Sequence, residues 1–150
     1  MTGLPVVESV GHLARLVRYQ AGRPLFLRWT GDLRADLDAH EILDPQTGVP
    51  LPGLPAVSLS VEPWWGRRSV ELWVARKLHT AVAARRPGAA LWVISGAEVG
   101  RGPDNDSLVV DCTPVARLGS RLIASAGRIW ADGPSADPAV ARVPDGTLPG

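Results

Sequence analysis

Cysteine occurs once in this 150-residue chain, as Cys112, so no disulfide can close within it. A reducing compartment, the cytoplasm, is the expectation. Histidine is nearly as sparse: His12, His40 and His79 are scattered with no Cys/His spacing of the zinc type, so no metal site is expected. No apolar run approaches the roughly 20 residues that span a bilayer, and the basic-then-apolar pattern of a signal peptide is missing. Neither charge dominates, since 16 Lys and Arg face 15 Asp and Glu for a net +1. That balance argues against a nucleic-acid partner held by bulk charge. There is no Walker loop, and Gly100-Arg101-Gly102 lacks the third glycine and the helix start of a dinucleotide-binding turn. No Ser-His-Asp or Cys-His arrangement is evident.

Phenylalanine and tyrosine occur once each, whereas tryptophan occurs six times, as Trp29, Trp64, Trp65, Trp73, Trp92 and Trp130. Core anchoring accounts for most of them. Trp64-Trp65 is different, because neighbours on a helix or strand point in different directions. At least one of that pair is expected to face a cleft or solvent.

Apolar spacing predicts a helix over residues 8–20, capped by Ser9 and stopped at Ala21-Gly22-Arg23-Pro24. A strand follows over 25–29, with Phe26 and Arg28 on one face and Leu25, Leu27 and Trp29 on the other. Residues 30–55 read as a long polar loop, with a helical turn or two between Ala35 and Leu43. Residues 56–61 alternate as a half-buried strand, and Pro63 to Gly66 turn the chain. Ser69 caps a helix over 69–86 whose stripe includes Val70, Trp73, Val74 and Leu78. Leu91 to Ile94 read as a central strand continuing over 97–99 past a bulge at Gly96. A turn over 100–106, a strand over 107–112 and a last helix capped by Ser120 complete the pattern. The stripe of that helix is Leu122, Ile123, Ala126, Ile129 and Trp130. The expectation is an α+β fold, a single small mixed sheet of about four to six strands packed with about three helices. Residues 1–131 form the expected globular domain, and 132–150 a Pro/Gly-rich tail.

Arg28 carries the main functional signal. A charge inside Leu25-Phe26-Leu27-Arg28-Trp29 costs several kcal/mol unless it is paired. It is expected to be largely buried and hydrogen-bonded, with Asp104, Asp106 and Asp111 as candidate partners. Two further groups accompany it: Ser58 and Ser60 on one face of their strand, and Asp104-Asn105-Asp106 at a strand mouth. An arginine can hold a phosphate bidentately, and a carboxylate can stabilise an oxocarbenium ion. The plainer reading gives Arg28 an internal aspartate, leaves the serines on an edge strand and makes Asp104-Asn105 turn chemistry. His79 then lies on a helix surface and Cys112 is an inert thiol.

Arg28, Ser58-Leu59-Ser60 and Asp106 (or Asp104) resemble, in chain order, the arginine, Ser-x-Ser and acid of one branch of the ADP-ribosyltransferases. The acid there is glutamate, one methylene longer, and no Glu-x-Glu occurs here. That resemblance implies NAD as cofactor, with Arg28, Ser58, Ser60 and Asp104 binding it and Asp106 driving cleavage of the nicotinamide–ribose bond. Trp65 is added as a stacking face. A second resemblance rests on Leu25-Phe26-Leu27-Arg28-Trp29, Glu62-Pro63-Trp64-Trp65, Arg101-Gly102-Pro103-Asp104-Asn105 and Pro114-Val115-Ala116-Arg117-Leu118. These segments are similar to those of an uncharacterised family of small actinobacterial proteins, which implies a cytoplasmic single-domain protein and no assigned activity. The expected function is thus a small nucleotide-binding domain that cleaves or transfers from NAD. The alternative is a non-catalytic interaction or regulatory module whose Trp64-Trp65 corner meets a protein partner.

Overall fold

Ser9 accepts a hydrogen bond from the amide of His12 and so starts α1 (Val10–Arg18), which buries Val10, Leu13, Ala14 and Val17. The structure, a computed structural model, describes residues 3–132 except 21, 40, 45 and 104. Ahead of α1 lies β1 (Val6–Val7), and after it come β2 (Leu25–Thr30) and α2 (Leu33–Asp38), the latter capped by Asp32. Next are β3 (Ile42–Leu43), β4 (Pro50–Leu51) and β5 (Leu54–Ser58), then a 3-10 turn over Pro63–Trp65. Helix α3 (Val70–Ala83) begins where Ser69 accepts from Leu72 N–H. The chain then runs through β6 (Ala90–Arg101), β7 (Ser107–Leu118) and α4 (Ser120–Asp132).

β2 lies between β5 and β6, antiparallel to both, and β7 pairs antiparallel with β5 and with β6. These four strands therefore form a closed ring of pairings, with β1 added parallel to the end of β7. The bending comes from β6, whose register against β7 shifts between Ser95 and Ala97 and again between Glu98 and Gly100. Gly96 sits at the first of these shifts, where a Cβ would collide with the side chain of Val109. Gly53 serves the β5–β7 contact in the same way, since a Cβ there would lie 2.8 Å from Val109 N.

Two apolar clusters result. Leu25, Leu27 and Trp29 face α1, α3 and α4, where Trp73, Leu78, Leu13 and Leu122 are fully buried. Phe26 faces the other way, into a smaller cluster with Leu33, Leu54, Ala56, Ile94 and Val109. The architecture is α+β, as expected: a five-stranded mixed sheet, a two-stranded sheet and four α-helices among the described residues.

Several boundaries differ from the sequence reading. α3 stops at Ala83 rather than 86, because the ring of Pro87 clashes with the carbonyl four residues earlier in a helix. The 30–55 stretch is not a plain loop but holds α2, the β3–β4 hairpin and the start of β5. β5 spans 54–58 rather than 56–61, and β7 runs to Leu118 rather than 112. Ser120 is the first residue of α4 rather than its cap. The tail beyond Asp132 lies outside the described residues. Among the described residues, no helix is long and apolar enough to cross a membrane.

Candidate functional site

Residues directly opposite on antiparallel strands share a face of the sheet. The pairings Phe26↔Ser58 and Ala56↔Ser107 therefore turn Ser58 and Ser107 to the side of Phe26, and Ser107 is also opposite Arg101. A cavity of about 440 Å³ opens there, lined by Ser58, Ser60, Glu62, Lys77, Glu98, Arg101, Asp106 and Ser107, with Phe26 and Ala56 among its apolar walls. Ser107 is only 1% exposed, and its Oγ has no hydrogen-bond partner among the described residues. An orphaned buried hydroxyl costs about 1–3 kcal/mol and calls for an explanation.

The turn that presents Asp106 is closed by Gly102 N–H donating to Asp106 O (2.8 Å) and Asn105 N–H donating to Gly102 O (2.9 Å). Asn105 takes the left-handed conformation, φ +64°, that asparagine tolerates. Arg101 pairs with Glu98 at 3.5 Å and donates to the Asn105 carbonyl at 3.1 Å. Ser58 Oγ accepts from Ser60 N–H at 3.2 Å. Lys77 Nζ stands 4.9 Å from the ring centroid of Trp73. Burial lowers the pKa of Lys77 from its ordinary value; Glu62 opposes that shift, while Arg76 and Arg101 add to it.

Arg28 is mostly buried and hydrogen-bonded, and the carboxylate that pairs with it among the described residues is Asp36 rather than Asp106 or Asp111. Its Nε donates to Asp36 Oδ2 at 2.8 Å and its Nη1 to the carbonyl of Pro55 at 2.8 Å. Leu33 anchors α2 on the Phe26 cluster, and Asp36, three residues on, falls on the same helix face. Arg28 lines a separate cavity of about 260 Å³ together with Asp44, Arg86 and Asp106. Asp106 thus borders both cavities, whereas Arg28 borders only the smaller one and Ser58 and Ser60 only the larger.

Trp65 offers no stacking face in either cavity, contrary to the sequence expectation. It is 2% exposed, donates from Nε1 to the Ser69 carbonyl at 3.0 Å, and packs on Trp73 with centroids 5.2 Å apart. Trp64 is the exposed member of the pair, at 54%. Asp104 lies outside the described residues. His79 is exposed on α3. Cys112 is half-buried, and burial raises its thiol pKa. No group of three His, Cys, Asp or Glu side chains converges as metal ligands among the described residues.

Sequence reading missed Lys77, Glu62 and Ser107. Lys77 is the only lysine of the chain, one residue before the buried Leu78 and four after Trp73. Ser107 stands two residues before the buried Val109, so strand alternation assigns it an inward position. Those two spacings were the available signals.

A family model described as a family of unknown function (DUF6098) matches residues 1–139. The chain belongs to this family. Membership in DUF6098 accounts for the broader of the two resemblances and brings no activity with it. No curated protein and no solved structure matches the chain significantly, so none of the comparisons connects this DUF6098 member with the ADP-ribosyltransferases.

Proposed function

We propose that this chain is a cytoplasmic binding domain for a small molecule of the nucleotide class, held in the cavity bordered by Ser58, Ser60, Asp106 and Ser107. The observation that carries the reading is the meeting of Ser58, Ser60, Asp106 and Lys77 in the lining of one cavity. Its volume, about 440 Å³, suits a small organic ligand. The hydroxyls of Ser58 and Ser60 would exchange hydrogen bonds with ribose or phosphate oxygens, and Asp106 would accept from a sugar hydroxyl. Lys77 would supply positive charge beside a phosphate.

Binding without efficient turnover is the form the geometry favours. Asp36 already engages Arg28, and Trp65 is buried in the core, which removes two of the contacts an NAD-cleaving site was expected to use. Calorimetry and thermal shift with NAD, ADP-ribose and ADP test the proposal. A bound ligand raises apparent stability by mass action, about 2.7 kcal/mol at a hundredfold excess over Kd. Asp106→Ala should abolish that response. Absence of heat from all three compounds at millimolar concentration would overturn the reading.

A further inference from the structure

We propose that Trp64 and the arginines around it form a docking surface for an acidic segment of a partner protein. The surface shares Glu62 with the Ser107 cavity but does not depend on the small-molecule reading. The indole of Trp64 is held in place on three sides. Its Nε1 donates to the Glu62 carboxylate, and its ring meets Trp65 and Trp73 edge-on, with centroids 5.8 and 5.6 Å away. Even so, 54% of the residue stays in water. Tryptophan and arginine are among the residues enriched in the hot spots of protein interfaces.

Charge identifies the occupant. The guanidinium of Arg76 lies 5.0 Å from the Trp64 ring and that of Arg68 lies 5.8 Å from it, with the exposed Arg67 adjacent in sequence. Neither Arg67 nor Arg76 forms an ion pair among the described residues. The nearby Glu62 accepts from the indole and keeps its charge, but the arginines outnumber it, and Glu71 pairs with Arg18 at 3.8 Å. A segment carrying carboxylates beside an apolar side chain complements this arrangement. A nucleic acid fits less well. Stacking platforms offer successive aromatic faces, whereas Trp65 and Trp73 are buried here and only Trp64 is open.

The test is calorimetric titration of the full chain with a short synthetic peptide of alternating glutamate and leucine, its glutamine counterpart, and oligouridylate. The glutamate peptide should bind saturably, and the glutamine version about tenfold more weakly or worse. Trp64→Ala and, independently, Arg76→Glu should each weaken binding by about tenfold or more. Should Trp64→Ala unfold the chain, Arg76→Glu decides alone once circular dichroism shows that variant folded, since its guanidinium also reaches Trp73, with 5.9 Å to the ring centroid. No saturable binding, equal affinity for the glutamine peptide, or unchanged affinity in Arg76→Glu overturns the proposal. Tighter binding of oligouridylate overturns it in favour of nucleic acid.

Discussion

Arg28 Nε and Asp36 Oδ2 lie 2.8 Å apart, both side chains mostly shielded from solvent. The pair joins the central strand β2 to α2, and the second bond of Arg28, to the Pro55 carbonyl, joins β5 as well. Removing the carboxylate strands a guanidinium in a poorly hydrated place. Asp36→Ala is therefore expected to cost about 2 kcal/mol, between an exposed pair and the roughly 3–5 kcal/mol of a fully buried one. Urea unfolding measures it, and a loss below about 0.5 kcal/mol would assign the pair to the surface class.

Trp73 is fully buried, and its Nε1 donates to the Leu59 carbonyl at 3.0 Å. Trp73→Ala should cost about 3–5 kcal/mol through the cavity it leaves. Trp73→Phe should cost less but still lose the Leu59 hydrogen bond, and chemical denaturation of the two variants separates the contributions.

Gly96→Ala places a methyl group against Val109 and near the carbonyl of Val110. The backbone at the β6 bulge must then give way, at an expected cost of about 1–3 kcal/mol. A melting temperature equal to the parent's would show that the strands can part there without penalty.

Ser107→Ala tests the part the buried hydroxyl plays in the fold. Deleting an orphaned hydroxyl should leave stability unchanged or raise it by about 1 kcal/mol. A clear destabilisation would mean that Ser107 is satisfied within the fold.

Lys77 gives a pH signature. Its folded pKa is lowered below the ordinary 10.5, first by burial. Within the window between those two values the unfolded chain holds the proton more tightly, so this group makes stability rise with pH there. Cys112, whose pKa is raised by burial, acts in the opposite sense above 9.0. The difference between the parent and Lys77→Met isolates the lysine: denaturation midpoints should rise less steeply with pH in the variant. Because Lys77 is the single lysine, amine-reactive labelling reads it directly, with the chain's α-amino group as internal reference.

Elements with a local signature were legible in the sequence. Ser9 and Ser69 cap their helices, and the break at Gly96 is a register shift, because capping and bulges depend on residues close in the chain. The burial of Arg28 followed from the apolar run around it, but its partner did not. Asp36 faces Arg28 only because α2, six residues long, folds onto the Phe26 side through Leu33. Two-residue strands such as β1, β3 and β4 leave no periodicity to read. Trp64 and Trp65 are equivalent as letters, and only the packing of Trp65 on Trp73 distinguishes them. The closing of the sheet rests on β5 meeting β7 some 50 residues later, a long-range pairing that no local pattern encodes.

Asp106 stands in the wall of two chambers at once, one holding Lys77 and the serines, the other holding Arg28 and Arg86. An occupant that engages this carboxylate from one side alters the charge presented to the other. Binding in the two chambers would then be thermodynamically linked. Whatever factor a first occupant imposes on the affinity of a second, the second imposes on the first.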